Sequence, residues 1–229
     1  MNCRKSLKNN KEECTNVAIR LCGDLRAPKI LKVLLLNTSC HRDSRKVNWS
    51  RLLLEKLHKS CIDPIKSWVQ NLNLSSNKLT LLPEYFIELK FVSRLNLSAN
   101  KLKVIPSHVF SLICLRELNI SSNAISELPE DLEWKPTLKS LNVGDNNLSD
   151  LPVSISRSRL ETLNLSKNNF VRIPLCVCEI ISLKDLDLSN NREISELPNE
   201  MGKLRNLSTL HLRNLDQVCT LHVVLVAGL

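Results

Sequence analysis

Glycine is scarce in this chain: four in 229 residues, at positions 23, 144, 202 and 228. A phosphate-cradling loop needs clustered glycines, so neither GxxxxGK[ST] nor GxGxxG is present. Aromatic residues make up 3%, which argues against an aromatic platform for single-stranded nucleic acid. HExxH, GxSxG and HRD-type loops are absent. The five histidines (41, 58, 108, 211, 222) have no partner at nucleophile or metal spacing. The nine cysteines form no paired framework, and Cys176 and Cys178 stand at a poor zinc spacing. They read as reduced thiols acting as small core hydrophobes. The first twenty residues are charged throughout, with no apolar run to direct export. The expectation is a cytoplasmic, non-enzymatic protein without cofactor, metal, small-molecule substrate, nucleic-acid partner or stable membrane insertion.

The formal charge of +9 is not spread evenly. Residues 1–67 hold 15 Lys and Arg against 6 Asp and Glu, whereas residues 68–229 hold 17 of each. Residues 1–42 read as a basic, partly disordered leader, with phosphate or anionic lipid contact as the alternative. Within it, "APKILKVLLLNT" (27–38) is strand-like and reads as a worn repeat.

The balanced part is repetitive. Asparagines recur at 77, 100, 123, 146, 168 and 191, and prolines at 83, 106, 129, 152, 174 and 198. Each unit reads LxxLxLxxNxLxxLPxxhxxLxx, with h apolar, starting at Val69, Val92, Leu115, Leu138, Leu160 and Leu183. A degenerate seventh unit begins at Leu207. In LxLx the apolar residues point one way and the intervening residues the other, as a short strand requires. One such strand cannot bury its own face, so neighbours must stack.

This pattern is identified as the leucine-rich repeat. It implies an α/β solenoid: a curved parallel sheet on the concave side and extended or 3₁₀ segments on the convex side. Asn77, Asn100, Asn123, Asn146, Asn168 and Asn191 form a structural ladder, each amide expected to serve its own loop and the next. Proline six residues later fixes φ on the convex side. The apolar residue three after each proline (Phe86, Val109, Leu132, Ile155, Val177, Met201) closes the core. Asn191 leads Pro198 by seven, so one extra residue must bulge in "NREIS".

Residues 43–67 read as an N-terminal capping helix, with Trp49, Leu53 and Leu57 at i, i+4 and i+8 and Asp63-Pro64 as its end. Repeats then cover 68–212. Residues 213–229 form an atypical apolar tail, too short to span a bilayer, which reads as a truncated or spliced product or a mistaken gene model. Eight Asn-x-Ser/Thr sequons occur, but "NLS" is what the repeat itself writes, so a glycosylated ectodomain is not the favoured reading.

The outward strand positions should line the concave face. Arg94, Arg116, Glu117, Lys139, Glu161, Lys184 and Asp185 make it polar and mixed in sign, suited to a protein partner, a merely solvated face being the alternative. A 23-residue cytosolic repeat with Leu-Pro resembles Ras-binding scaffolds, LAP-type adaptors and Roco proteins. The last full repeat, "LDLSNNREISELPNEMGKL", carries the extra residue followed by Leu-Pro-Asn-Glu-Met-Gly-Lys-Leu. "LNISSNAISELPEDLEWKPTLKSL" carries the pair Trp134-Lys135. On these residues the chain most resembles the repeat segment of the Roco-family leucine-rich repeat serine/threonine kinases. That resemblance implies a GTPase, a COR dimerisation module and a kinase elsewhere in a parent protein, and a scaffold or regulatory role for the repeats. A stand-alone Ras-pathway or LAP-type adaptor is the alternative.

Overall fold

The structure is a computed structural model and describes residues 44–130 and 134–215. Among the described residues eight three-residue strands run β1 (Lys46–Asn48), β2 (Asn71–Asn73), β3 (Arg94–Asn96), β4 (Glu117–Asn119), β5 (Ser140–Asn142), β6 (Thr162–Asn164), β7 (Asp185–Asp187) and β8 (Thr209–His211). They pair in parallel, strictly in chain order, in a curved sheet that does not close. Each strand is too short to be stable alone and is held by its neighbours.

The central leucine of each strand points inward. Leu72, Leu95, Leu118, Leu141, Leu163 and Leu186 stack in register and are all buried. Proline stands immediately before five of the convex turns: η1 (Glu84–Glu88), η2 (Val153–Arg157) and η3 (Asn199–Lys203), which are 3₁₀, and the one-turn α-helices at Ser107–Phe110 and Leu175–Cys178. Phe86, Val109, Ile155, Val177 and Met201 then seal the core from that side; Leu132 lies outside the described residues. Trp134 packs edge-on against Phe110, with ring centroids 5.3 Å apart, and its indole N–H donates to Ser154 Oγ at 3.2 Å.

The capping helix expected over 43–67 does not form. Val47 pairs with Leu72, and Trp49 N donates to Asn73 O at 2.7 Å, as in a further repeat. Only Lys59–Ile62 is helical. Leu53, assigned to the helix's buried face, is 65% exposed at φ 58. The reason is local. This unit is two residues longer than the next, Leu52 stands where the others carry Asn, and its loop leucines fall by chance at helical spacing. The parallel ladder with β2 outweighs that weak periodicity. The leader and the tail beyond Leu215 fall outside the described residues.

The extra residue at "NREIS" has a simple solution. In the other repeats the second residue after the ladder asparagine is the buried one, as at Leu79 and Phe170; here it is the third, Ile194, fully buried. Arg192 and Glu193 form an exposed turn closed by Ile194 N donating to Asn191 O at 3.2 Å. Deleting Glu193 restores the common spacing and should change stability by no more than about 0.5 kcal/mol, as surface loops tolerate. A melting curve shifted well beyond that would show that the turn carries its own stabilisation.

Candidate functional site

Two rows of asparagine build the edge of the concave face. The ladder row is the deeper one. Asn146 Oδ1 accepts from Ile125 N at 3.1 Å, and its Nδ2 donates to Ile120 O, Val143 O and Gly144 O at 3.1, 2.9 and 3.2 Å. Asn77, Asn100, Asn123 and Asn168 bond in the same way. Asn191 is fully buried and reaches Leu165 O and Leu188 O. Each amide therefore serves its own loop and the preceding one, not the following one as expected. Adjacent rungs share a carbonyl: Ile120 O receives both Asn123 and Asn146, and Leu97 O both Asn100 and Asn123. The residue before each rung is left-handed, with φ between 53 and 62 from Ser76 to Asn190. That conformation is unfavourable for a residue with a Cβ, and the paired loops hold it in place.

The second row caps the strands. Asn73, Asn96, Asn119, Asn142 and Asn164, and Asp187 after them, each accept the N–H two residues on through Oδ1, at 2.9 to 3.0 Å. Sequence reading misses this role. The Asn-x-Ser triplets that resemble sequons carry the signal, because asparagine before a small polar residue favours this turn. Gly144 replaces the usual serine there. A Cβ at Gly144 would lie 2.7 Å from Asn164 Oδ1.

The seven charged candidates do lie on the strands or directly before them, but most are engaged along the sheet. Arg94 Nε meets Glu117 Oε1 at 2.8 Å on the adjacent strand. Glu161 is shared by Lys184 Nζ at 2.7 Å and Lys139 Nζ at 3.3 Å. The hydrogen bond from Lys184, reinforced by that from Lys139, holds the Glu161 carboxyl below its ordinary range. Asp185 stands 3.6 Å from His211. Arg116 is exposed, and among the described residues no carboxylate lies within ion-pair distance of it. Exposed pairs of this kind contribute little to folding; what they do is fix the pattern of charge that a partner meets.

Over the outward face of β1 to β5 lies a trough of about 530 Å³, with the strand-capping row along one side of it. Its polar lining includes Asn71, Asn73, Asn96 and Asn119, with Lys46 and Asn48 from the first repeat, which the helix reading had hidden. On the convex side Val153 and Leu175, 74% and 56% exposed, border a second cleft with Leu151 and Ile173. Burial pushes the Cys176 and Cys178 thiols up to about 11, so they remain protonated and poorly nucleophilic. Among the described residues no group of three or more His, Cys, Asp or Glu is placed to hold a metal, and no helix is long and apolar enough to cross a membrane.

The fold recurs among solved structures. A leucine-rich repeat protein of Leptospira interrogans aligns with a TM-score of 0.60 at 25% identity, over 76% of this chain and 55% of that one. The leucine-rich repeat domain of the type III effector XopL aligns with a TM-score of 0.68 at 17% identity, over 94% of this chain and 86% of that one. The plant peptide hormone receptor RGFR1, solved in complex with RGF2, aligns with a TM-score of 0.56 at 25% identity, over 67% of this chain and 25% of that one. The chain thus spans little more than half of the Leptospira protein and a quarter of the receptor. No curated protein matches it. A family profile described as "Disease resistance protein RPS4B-like, leucine-rich repeats" matches residues 52–226. With that match over most of its length, and with eight stacked parallel strands behind it, the chain belongs to the leucine-rich repeat family.

Proposed function

We propose that this chain is a cytoplasmic protein-binding repeat domain that engages its partner on the concave face and serves as the regulatory or scaffolding segment of a Roco-type kinase. The observation that carries the binding reading is the row of exposed and half-buried charge on or directly before β3 to β7, with Arg116 beside it and without an ion-pair partner among the described residues. A neighbour of the same repeat fold, the receptor RGFR1, is solved in complex with RGF2, which supports a protein or peptide ligand. The Roco assignment rests on the extra residue before "ELPNEMGKL" and on Trp134-Lys135. A Walker-type phosphate loop encoded shortly downstream in the parent transcript would support the kinase reading; an adaptor's transcript would contain none.

The surface is tested by Arg116→Glu with Lys139→Glu. Lys139 touches Glu161 at 3.3 Å, but both side chains remain partly exposed. Stability should therefore fall by no more than about 1 kcal/mol. Capture of partners from cytosol should drop and association should slow, most strongly at low salt. Equal recovery of the same partners by both proteins would remove the concave centre as the site.

A further inference from the structure

Four of the strand-capping asparagines leave half of the amide unused. Asn73, Asn96, Asn119 and Asn142 follow one another in register on β2 to β5, about 4.8 Å apart from strand to strand. Each commits Oδ1 to the N–H two residues on, at 3.0, 2.9, 3.0 and 3.0 Å. That bond fixes the amide plane and leaves Nδ2 with its two N–H donors. Among the described residues none of these four Nδ2 atoms has an acceptor, and all four residues line the trough. The row ends at Asn164, whose Nδ2 donates to Asp187 Oδ2 at 3.2 Å.

A line of oriented donors makes a demand on whatever covers it. All four residues are partly exposed, so their donors are open to solvent in the free protein. A partner that excludes that water must supply an acceptor at each rung or strand a buried N–H. Carboxylates answer best, since a charged acceptor strengthens the bond. The charged side chains lining the trough are Lys46, Arg94 and Glu117, and Arg94 already pairs with Glu117. Lys46 is thus left as unbalanced positive charge. Arg116, exposed, lies next to this pair in sequence and carries the same sign. No aromatic side chain lines the trough, so stacked nucleic-acid bases would find no platform.

We propose that this donor row is a recognition site for an extended acidic segment of a protein partner, its carboxylate and carbonyl oxygens laid across β2 to β5. The proposal rests on the concave-face reading above and narrows it to a chemical class.

The molecule itself supplies a test that preserves the fold. Asp187 occupies the same register position and caps Ser189 N through Oδ1 at 2.9 Å. Asn73→Asp with Asn119→Asp therefore keeps the strand caps while replacing two donors by acceptors, and Asn119→Asp alone serves as the milder variant. Ser126→Asp with Ser149→Asp adds the same charge at exposed positions outside the trough. The probe is a fluorescein-labelled dodecapeptide of alternating Glu and Ser, read by fluorescence anisotropy against its Lys/Ser and Gly/Ser counterparts and against oligouridylate.

The acidic peptide should bind saturably and in preference to the other three. The double trough variant should weaken it at least about tenfold, the single variant less, and the outlying pair less than about twofold, all with unchanged melting temperatures. Absence of saturable binding by the acidic peptide, tighter binding of oligouridylate, or equal weakening by the outlying pair would overturn the proposal. If Arg116→Glu with Lys139→Glu weakens the peptide and the trough variants do not, the donor row fails and the concave face stands. If neither set weakens it, both fail.

Discussion

Replacing Asn123 and Asn146 together by Ala is expected to cost more than the two single changes combined. Each single change removes one acceptor for a buried N–H, that of Leu102 or of Ile125. An unsatisfied buried donor costs about 1–3 kcal/mol, so about 2 kcal/mol each is expected. The carbonyls suffer less from a single change, because each strand-end oxygen receives two amides. Ile120 O loses Asn146 but keeps Asn123, or the reverse. Only the double variant strips it of both. The coupling should be about 1–2 kcal/mol. Asn77→Ala with Asn146→Ala shares no carbonyl, so its effects should simply add. Denaturant unfolding of the five variants and the parent decides the matter. Strict additivity for the 123/146 pair would mean that the shared carbonyl is satisfied by something else.

The largest single loss should come from Phe170→Ala, about 3–5 kcal/mol. Phe170 is fully buried in the position that Leu79, Leu102, Ile125 and Leu148 fill in the other repeats. Truncation there opens a cavity between two repeats whose backbones are tied by the asparagine ladder, so the walls have little freedom to collapse. Phe170→Leu reproduces what the neighbouring repeats already use and should cost under about 1.5 kcal/mol. If the leucine variant melts as low as the alanine variant, the site is tuned to the aromatic ring, and interchangeability of the repeats does not hold there.

The period of the repeats, the parallel sheet, the buried leucines and the existence of a ladder were legible in the chain itself. Asparagine six positions before proline recurs often enough that chance cannot produce it, and an alternating LxL has one geometrical solution. Where a unit departs from the consensus, that legibility ends. The first repeat looks helical in the sequence because Leu52 replaces the asparagine and a three-residue strand holds too few positions to show a period; only pairing with Asn71–Asn73 makes it a strand. Which loop each ladder amide serves was also hidden, since spacing along the chain is the same whether the bond runs forward or back. The charged residues were found, but not that Glu161 would bind two lysines from flanking positions, because those side chains meet only across the sheet. The spare donors of Asn73, Asn96, Asn119 and Asn142 depend on the same closeness: stacking brings them into one row, and the turn bond settles which end of each amide is left free.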